Sequence, residues 1–384
     1  YNQELEGRQE LAFRLPIIGS DPRIRDVLNS LVMKYETSFW STGIALNNEL
    51  TITIEDPIHG SIEIGFPESR LLTTSLMIRT NNIKQLGSTS YFNSGATHTR
   101  LSHQLGAYHL SKKIWKAILQ SDEFKNKVID ILKKRIKEHW LGLKIAGFTD
   151  DSDVDKTVDS YRDQIIEFLE KIGSKIVGAA VLLHDIGHGG WGHILDPLNG
   201  FIAHRIAVLP KSLGTPLEYR IDRVMAEPGK LDITTAIYII SNNEQIIKAL
   251  TEGFANYTKG IIKDIEGRSS GDKDFYEVFR DMVEKLNIIP TIIVAIIFED
   301  MGIPVKNGPL LIYFLTLYSK LFQGKAQNQE KRSKIFAIIA ELLAIIVMLG
   351  IQILGDKETE GRGIAGFNVD RLDWVPRDSF HLGL

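Results

Sequence analysis

Residues 176–193 read IVGAAVLLHDIGHGGWGH. Its first eight residues are apolar or small, which is typical of a buried helix. An ionisable pair, His184 and Asp185, follows at once, and His188 and His193 come next. A buried imidazole and carboxylate need partners, and a divalent cation satisfies both. The stretch therefore predicts a core helix that ends in a metal-binding or catalytic group.

Two other segments carry residues suited to the same chemistry. Histidine is scarce, with 10 in 384 residues, yet four of the ten fall between positions 184 and 204, where His204 is the last. Upstream, Arg100 and His103 are three residues apart in a helical pattern, so they share one helix face. Near the C-terminus, Asp370 and Asp373 also share a face if that segment is helical. Cation ligands are thus available from three separate parts of the sequence.

The composition excludes several classes of protein. Hydrophobic residues make up 43% and charged residues 24% of the chain, which is typical of a globular protein and not of a disordered or collagen-like one. The formal net charge of -3 gives no basic field for nucleic acid, so a nucleic-acid partner is not favoured. The absence of cysteine excludes disulfides, thiolate nucleophiles and cysteine-based metal sites.

A membrane partner is not expected. The stretch from Ile335 to Leu354 is apolar and about long enough to span a bilayer, but Glu341 lies inside it and charged residues flank it. We predict a buried core helix there. The first twenty residues lack the layout of a signal peptide, so we predict a cytoplasmic location.

The rest of the chain predicts a mainly α fold. Residues 50–55 and 61–64 alternate polar and apolar side chains around a turn-forming segment, which indicates a small β-hairpin. After Leu71 the period is helical. We divide the chain into an N-terminal appendage at 1–50 and one domain at 51–384. The charge-rich stretch at about 120–174 predicts two exposed helices joined by a loop.

Taken together, these residues resemble the HD-domain phosphohydrolases, and within them the dNTP triphosphohydrolase branch that includes bacterial dGTPases and the vertebrate SAM-and-HD-domain dNTPase. Five blocks in the family's order carry the resemblance: DPIHG at 56–60, KQLG at 84–87, GATHTRLSHQLG at 95–106, HDIGHGGWGH at 184–193 with Asp196, and VDRLDWVPRD at 369–378. A lone HD dipeptide is weak evidence, whereas five ordered blocks are specific. The resemblance implies an HD-domain helical fold at 51–384 with the hairpin near its start. Because the motifs lie farther apart here than in the compact vertebrate enzyme, it also implies insertions at about 120–174 and 206–363.

The resemblance also implies one bound divalent metal ion. Its four protein ligands would be His103, His184, Asp185 and Asp370. Imidazole and carboxylate suit Mn²⁺, Fe²⁺, Mg²⁺ or Zn²⁺, and no soft ligand selects among them. Four ligands leave positions for water and a phosphate oxygen. We favour a mononuclear site because the extra histidines of di-iron relatives are missing.

Catalytic roles follow from the same resemblance. His188 and His193 match positions that contact phosphates. Asp196 and His204 are most like an acid–histidine pair near the attacked α-phosphorus, where the acid would hold the imidazole in one tautomer. Arg100 is expected to clamp phosphate, since a guanidinium pairs with phosphate oxygens and stays charged.

Substrate-binding roles fall on three further residues. Gln85, Trp374 and Asp378 match positions that line the deoxyribose pocket. Trp374 stands where a tyrosine is usual, and tryptophan offers an N–H donor but no hydroxyl acceptor, so bulk is expected to contribute to sugar choice. His59 and His98 lie in the matching blocks and are expected to be structural.

The predicted function is hydrolysis of deoxynucleoside triphosphates to deoxynucleoside and triphosphate, by a homo-oligomer. Two alternatives stay open at this point. One is an HD phosphohydrolase for another substrate, such as a nucleoside monophosphate, a cyclic or alarmone nucleotide, or a nucleic acid end. The other is a nucleotide-binding regulatory or defence module.

Overall fold

A computed structural model of the chain describes residues 51–140, 144–190, 231–267, 273–297, 329–355 and 368–383, with positions 314, 317, 318, 321 and 322. Residues 48–384 form one unit. The predicted appendage at 1–50 and the predicted site residues His193, Asp196 and His204 lie outside the described residues.

The first element in the described part of the chain is the predicted β-hairpin. Strand β1, Ile52–Asp56, pairs antiparallel with β2, Gly60–Ile64, and Ile52 lies opposite Ile64. Side chains alternate between faces along a strand, and the inner face buries Ile62 and Ile64 completely. This confirms the hairpin that the alternation predicts.

Helices make up most of the remainder, which confirms the mainly α fold class. In chain order they are α1 (Ser75–Thr80), α2 (Arg100–Leu119), α3 (Asp122–His139), α4 (Asp151–Ser160), α5 (Arg162–Phe168), α6 (Ser174–Leu183), α7 (Leu231–Asn242), α8 (Glu244–Glu266), α9 (Asp274–Leu286), α10 (Ile288–Ile297), α11 (Gln329–Leu354) and α12 (Val369–Leu382). Short 3₁₀ helices cover Glu68–Thr73 and Gly87–Tyr91, and a π-helical turn covers Leu169–Gly173.

Local capping sets where two of the site helices begin. At α2 the hydroxyl of Thr99 accepts from the Ser102 amide, while the Ser102 hydroxyl accepts from the Thr99 amide. This reciprocal capping satisfies two donors that the helix itself leaves open. At α12 the side chain of Asn368 accepts from the Arg371 amide at 2.7 Å. The caps place Arg100 and Asp370 in the first turns of their helices.

Helix α6 lies at the centre of the core. Its residues from Ile176 to Leu183 are buried, as the apolar run predicts. Helix α6 packs against α2, α10 and α11, and α2 also packs against α12. The end of α6 and the starts of α2 and α12 meet at one place, because Asp370 lies 3.0 Å from His103 and 3.8 Å from His184.

Helix α11 is long and apolar enough to cross a membrane by length and composition, but 83% of its most apolar window is buried inside the fold. The acid in the apolar part of the helix, Glu341, is buried and contacts two basic side chains. Arg135 Nε donates to Glu341 at 2.7 Å, and His139 Nδ1 lies 3.1 Å from the other carboxylate oxygen. This confirms the predicted core helix and explains how it carries a charge.

The region 120–174 differs from the prediction of two exposed helices. It contains α3, α4 and α5, and the inner face of α3 buries Val128, Leu132 and Ile136. The high charge belongs to the outer faces of amphipathic helices, whose inner faces still join the core. Helices α8 to α11 contribute to the same hydrophobic cluster as α2 and α6, so they are part of the central fold.

Candidate metal centre

His184 and Asp185 follow directly after the last residue of α6. The Nδ1 atom of His184 lies 2.6 Å from the carbonyl oxygen of Val181, one turn earlier. With Nδ1 donating to this carbonyl, the other ring nitrogen, Nε2, is free to act as a ligand. The helix end therefore fixes both the orientation and the tautomer of His184.

Four predicted ligands converge around this point. The Nε2 atoms of His103 and His184 each lie close to the carboxylates of Asp185 and Asp370. His103 Nε2 is 3.0 Å from Asp370 Oδ1 and 3.7 Å from Asp185 Oδ2, while His184 Nε2 is 3.5 Å from Asp185 Oδ1 and 3.8 Å from Asp370 Oδ1. Donor atoms of His103, His184 and Asp185 all lie within 4.8 Å of one another.

These distances fit a shared cation. Ligands bound at about 2.0–2.2 Å from a metal lie about 3.0–3.6 Å from one another, and the four separations here run from 3.0 Å to 3.8 Å, within or just above that range. The Nε2 atoms of His103 and His184 are buried, and their contacts with these carboxylates do not meet the geometry of hydrogen bonds. A cation between the two imidazoles and the two carboxylates would give these buried nitrogens a partner and would balance the negative charge. The donor set of two imidazoles and two carboxylates therefore fits one divalent cation.

The four side chains differ in exposure. The side chain of His103 is fully buried, that of Asp185 is 9% exposed and that of Asp370 is 31% exposed. The site is thus closed behind His103 and open to solvent beside Asp370. A hydrolytic centre needs such an opening, since substrate and water must reach it.

The charges at the site perturb one another strongly. Burial alone would lower the pKa of His103, but the carboxylates of Asp370 and Asp373 raise it to about 10. Burial opposes ionisation of Asp185, whereas the neighbouring His184, His188 and Arg100 hold its pKa well below the ordinary value. The carboxylates are therefore ionised at neutral pH, as metal ligands must be.

No family model matches the chain, but parts of it resemble known proteins. A 140-residue part is 30% identical to a protein of Acanthamoeba polyphaga mimivirus that is named for an HD domain, covering 36% of this chain and 24% of that one. A 143-residue part is 28% identical to deoxynucleoside triphosphate triphosphohydrolase SAMHD1 of Bos taurus, covering 37% and 17%. A 147-residue part is 41% identical to an uncharacterised protein of Mycoplasma genitalium, covering 37% and 23%.

These similarities support the HD superfamily. The matched part spans less than a quarter of the length of each of these relatives.

Arg100 lies beside the four predicted ligands and contacts one of their carboxylates. Its Nη1 donates to Asp185 Oδ2 at 2.8 Å, and both side chains are largely buried. The Nε atom of Arg100 has no hydrogen-bond partner among the described residues. The guanidinium thus orients a ligand and retains a donor, while its phosphate contact stays a prediction.

His188 contacts Asp185 and also Asp232, a residue that the sequence did not predict to belong to the site. Its Nε2 lies 3.3 Å from Asp185 Oδ1 and 3.1 Å from Asp232 Oδ2 on α7. Asp232 is 8% exposed. A side chain at Gly187 would overlap the backbone carbonyl oxygen of Asp232, so the glycine allows α7 to approach closely. Arg79, in α1, donates to the His188 carbonyl at 2.7 Å. His188 is therefore fixed from three directions.

The predicted sugar-pocket residues lie near the start of α2 and along α12. The backbone amide of Gln85 donates to the carbonyl of His98, and its Oε1 has no hydrogen-bond partner in the described part of the chain. Asp378 Oδ1 lies 2.7 Å from His98 Nε2. Trp374 is 36% exposed. Gln85 and Asp378 are thus linked through His98, and whether they bind sugar stays a prediction.

The sequence did not predict the partners of His103 and His188, which are Asp373 and Asp232. Asp373, fully buried, contacts His103, and His59 and Arg377 contact Asp373 in turn. The shared helix face of Asp370 and Asp373 was predicted, and the spacing of four residues between Asp373 and Arg377 is a signal that could have suggested their contact. Asp232 has no such signal, because no motif surrounds it.

Proposed function

We propose that this chain is a metal-dependent HD phosphohydrolase that cleaves deoxynucleoside triphosphates at the α-phosphorus to give deoxynucleoside and tripolyphosphate. The observation that carries the proposal is the convergence of the buried Nε2 atoms of His103 and His184 on the carboxylates of Asp185 and Asp370. The partial similarity to a deoxynucleoside triphosphate triphosphohydrolase supports the choice of substrate.

His103, His184, Asp185 and Asp370 would hold one divalent cation, such as Mn²⁺, Fe²⁺, Mg²⁺ or Zn²⁺. When bound, a cation of this kind polarises a phosphoryl oxygen and makes water a better nucleophile. The opening beside Asp370, the most exposed of the four ligands at 31%, is where a triphosphate would enter.

Arg100 would neutralise negative charge on the phosphates. Its guanidinium cannot lose its proton at neutral pH, and its burial strengthens any electrostatic contact that it makes. With Nη1 on Asp185 and Nε without a partner among the described residues, one edge of the group has donors for a phosphate oxygen.

His188 would contact the phosphates from the other side of Asp185. Its contact with Asp232 at 3.1 Å gives it the acid partner that orients a catalytic imidazole. His193 is proposed to contact phosphate as well, and Asp196 with His204 is proposed as the acid–histidine pair near the α-phosphorus.

The sugar would lie between α2 and α12. Gln85 Oε1, without a partner among the described residues, can accept a hydrogen bond from a hydroxyl group. Trp374 would limit space around the sugar by its bulk, and Asp378 would accept from a second hydroxyl. We further propose that the protein is a cytoplasmic homo-oligomer and that nucleic acid is not its main partner.

Product analysis by mass spectrometry tests the proposal. The full chain is incubated with each of the four dNTPs and four NTPs, and with nucleoside monophosphates, cyclic nucleotides, alarmones and oligonucleotides, in Mn²⁺, Mg²⁺ or Fe²⁺. We expect tripolyphosphate and a deoxynucleoside from one or more dNTPs. If every triphosphate is recovered intact while another substrate is cleaved, the substrate class is wrong. Metal binding with no turnover of any nucleotide would favour a regulatory module instead.

A further inference from the structure

The carboxylate of Asp373 lies directly behind His103 and is fully buried. Its Oδ2 is 2.8 Å from His103 Nδ1 and 2.9 Å from Arg377 Nε. Its Oδ1 is 2.7 Å from His59 Nε2 and 2.8 Å from Arg377 Nη2. Four nitrogen atoms from three side chains therefore surround one carboxylate, two at each oxygen.

This arrangement requires an acceptor at both oxygens. Arg377 is always protonated and donates to each of them. An asparagine at position 373 would place an amide NH₂ against one of the two Arg377 donors, whichever way it turned. Because buried donors that face each other are unfavourable, the site calls for an ionised carboxylate. Burial raises the pKa of Asp373, but Arg377, His103 and His59 together hold it well below the ordinary value.

A second acid anchors the arginine. Arg377 is fully buried, and its Nη1 donates to Asp56 Oδ2 at 2.7 Å while its Nη2 lies 3.2 Å from Asp56 Oδ1. Asp56 ends strand β1 and also accepts from the amides of Ile58 and His59 in the hairpin turn, both at 2.9 Å. The hairpin and α12 are thus joined through one guanidinium.

Helix α2 leaves room for this carboxylate by having no side chain at Gly106, one turn after His103. A Cβ atom at position 106 would overlap Asp373 Oδ1 and Arg377 Nη2. Glycine within a helix costs about 0.5–1 kcal/mol relative to alanine, so its presence here is explained by the close approach of α12. The position of Asp373 therefore depends on both α12 and α2.

We propose that Asp373 is a positioning residue of the metal centre. It holds the Nδ1–H of His103, so that the ring stays in one tautomer and Nε2 faces the cation. Carboxylates that bind the second nitrogen of a histidine ligand act in this way in metalloproteins. The inference rests on the metal site of the proposed function, but it does not depend on which substrate is cleaved.

A purely structural role for Asp373 predicts a different result. If Asp373 only neutralised Arg377 and joined α12 to the hairpin, then Asp56 would be its equivalent, since both carboxylates bind the same guanidinium and both are buried. In the described part of the chain Asp56 contacts Arg377 and the hairpin turn but not His103, whereas Asp373 contacts His103 directly. Comparison of the two acids therefore separates positioning of the ligand from stability of the fold.

The experiment measures Mn²⁺ binding to the full chain by electron paramagnetic resonance of the free ion. Wild type, Asp373→Asn and the matched control Asp56→Asn are compared after circular dichroism and thermal melting have shown that each variant is folded. We expect Asp373→Asn to bind Mn²⁺ about 10–100-fold more weakly than wild type, and Asp56→Asn to remain close to wild type. Equal weakening in both variants, or none in Asp373→Asn, would overturn the proposal.

Two further measurements keep the test decisive if Asp373→Asn does not fold. Gly106→Ala retains the carboxylate but displaces it, so we expect weaker Mn²⁺ binding from this variant also. In Zn²⁺-loaded, ¹⁵N-histidine-labelled wild type, nuclear magnetic resonance would show His103 protonated at Nδ1 and metal-bound at Nε2. The opposite tautomer would refute the proposal. If wild type bound neither metal, the metal site of the proposed function would itself be wrong.

Discussion

Asp370 Oδ1 lies 3.0 Å from His103 Nε2 although the two residues come from opposite ends of the described fold. The contact joins the first turn of α12 to the start of α2, and the end of α6 supplies His184 beside them. Residues from three helices therefore form one centre. The same contact has a consequence for protons, because an imidazole must be deprotonated at Nε2 before it binds a cation.

Metal binding is expected to release a proton. The carboxylates around His103 outweigh the effect of burial and raise its pKa to about 10, so the metal-free site holds this imidazole protonated at pH 7.5. Cation binding must displace that proton, and apparent affinity should rise about tenfold per pH unit below the raised pKa. Calorimetric titration with Mn²⁺ in buffers of different ionisation enthalpy counts the protons. No release at pH 7.5 would contradict the binding of the cation by a His103 that is protonated in the metal-free protein.

Asp232→Asn is expected to reduce turnover while metal binding is retained. Asp232 contacts His188 and is not among the four ligands. We expect kcat to fall by at least roughly tenfold. This is less than the loss of about 10²–10⁴-fold expected when a general acid–base residue itself is removed. Steady-state kinetics on the best substrate from the product analysis, together with Mn²⁺ affinity, checks this. Unchanged kcat would remove His188 and Asp232 from the catalytic machinery.

Acid is expected to destabilise the metal-free protein through Asp56. Burial raises the pKa of Asp56, but Arg377 and the amides of the hairpin turn lower it by more, to below the ordinary 3.8. A lowered folded pKa stabilises the protein above the unfolded value, and this contribution is lost as pH falls through the folded pKa. Urea unfolding with EDTA between pH 7 and 3 should show a decline near and below 3.8. The decline should be shallower in Asp56→Asn.

The sequence was sufficient to predict much of the fold. Alternation at 50–55 and 61–64 predicts the hairpin, and the apolar runs predict α6 and α11, because periodicity and hydrophobicity are local properties. The charge-rich region after position 120 was harder. Charge density marks the exposed face of α3, but residues such as Leu132 on the other face join a core that only the tertiary structure reveals.

For the candidate site, the motifs nominated all four cation ligands, and the structure brings His103, His184, Asp185 and Asp370 together. Their binding of metal stays a prediction. What the sequence could not show is which second partner each ligand has. Asp373 contacts His103 through tertiary packing, and Asp232 reaches His188 from a helix with no recognisable motif. Contacts of this kind depend on how helices meet, and a single sequence does not record that.

The buried acid of α11 is expected to matter for stability and not for catalysis. Its side chain is 4% exposed and contacts Arg135 and His139. Removing one partner of a buried ion pair typically costs about 3–5 kcal/mol, so Glu341→Gln should lower the free energy of unfolding by about that amount. Glu330→Gln, on the same helix at 71% exposure and paired with Lys334, is the control and should cost at most about 1 kcal/mol. Denaturant unfolding of both variants decides.

The stoichiometry of bound Mn²⁺ in wild type and in the His184→Ala, Asp185→Ala double variant tests the central claim most directly. Both proteins are dialysed against Mn²⁺, and metal per chain is measured by plasma mass spectrometry after circular dichroism has confirmed the fold. The proposed centre predicts one ion per chain in wild type and none in the double variant. Equal metal content in the two folded proteins would show that His184 and Asp185 do not form the metal site.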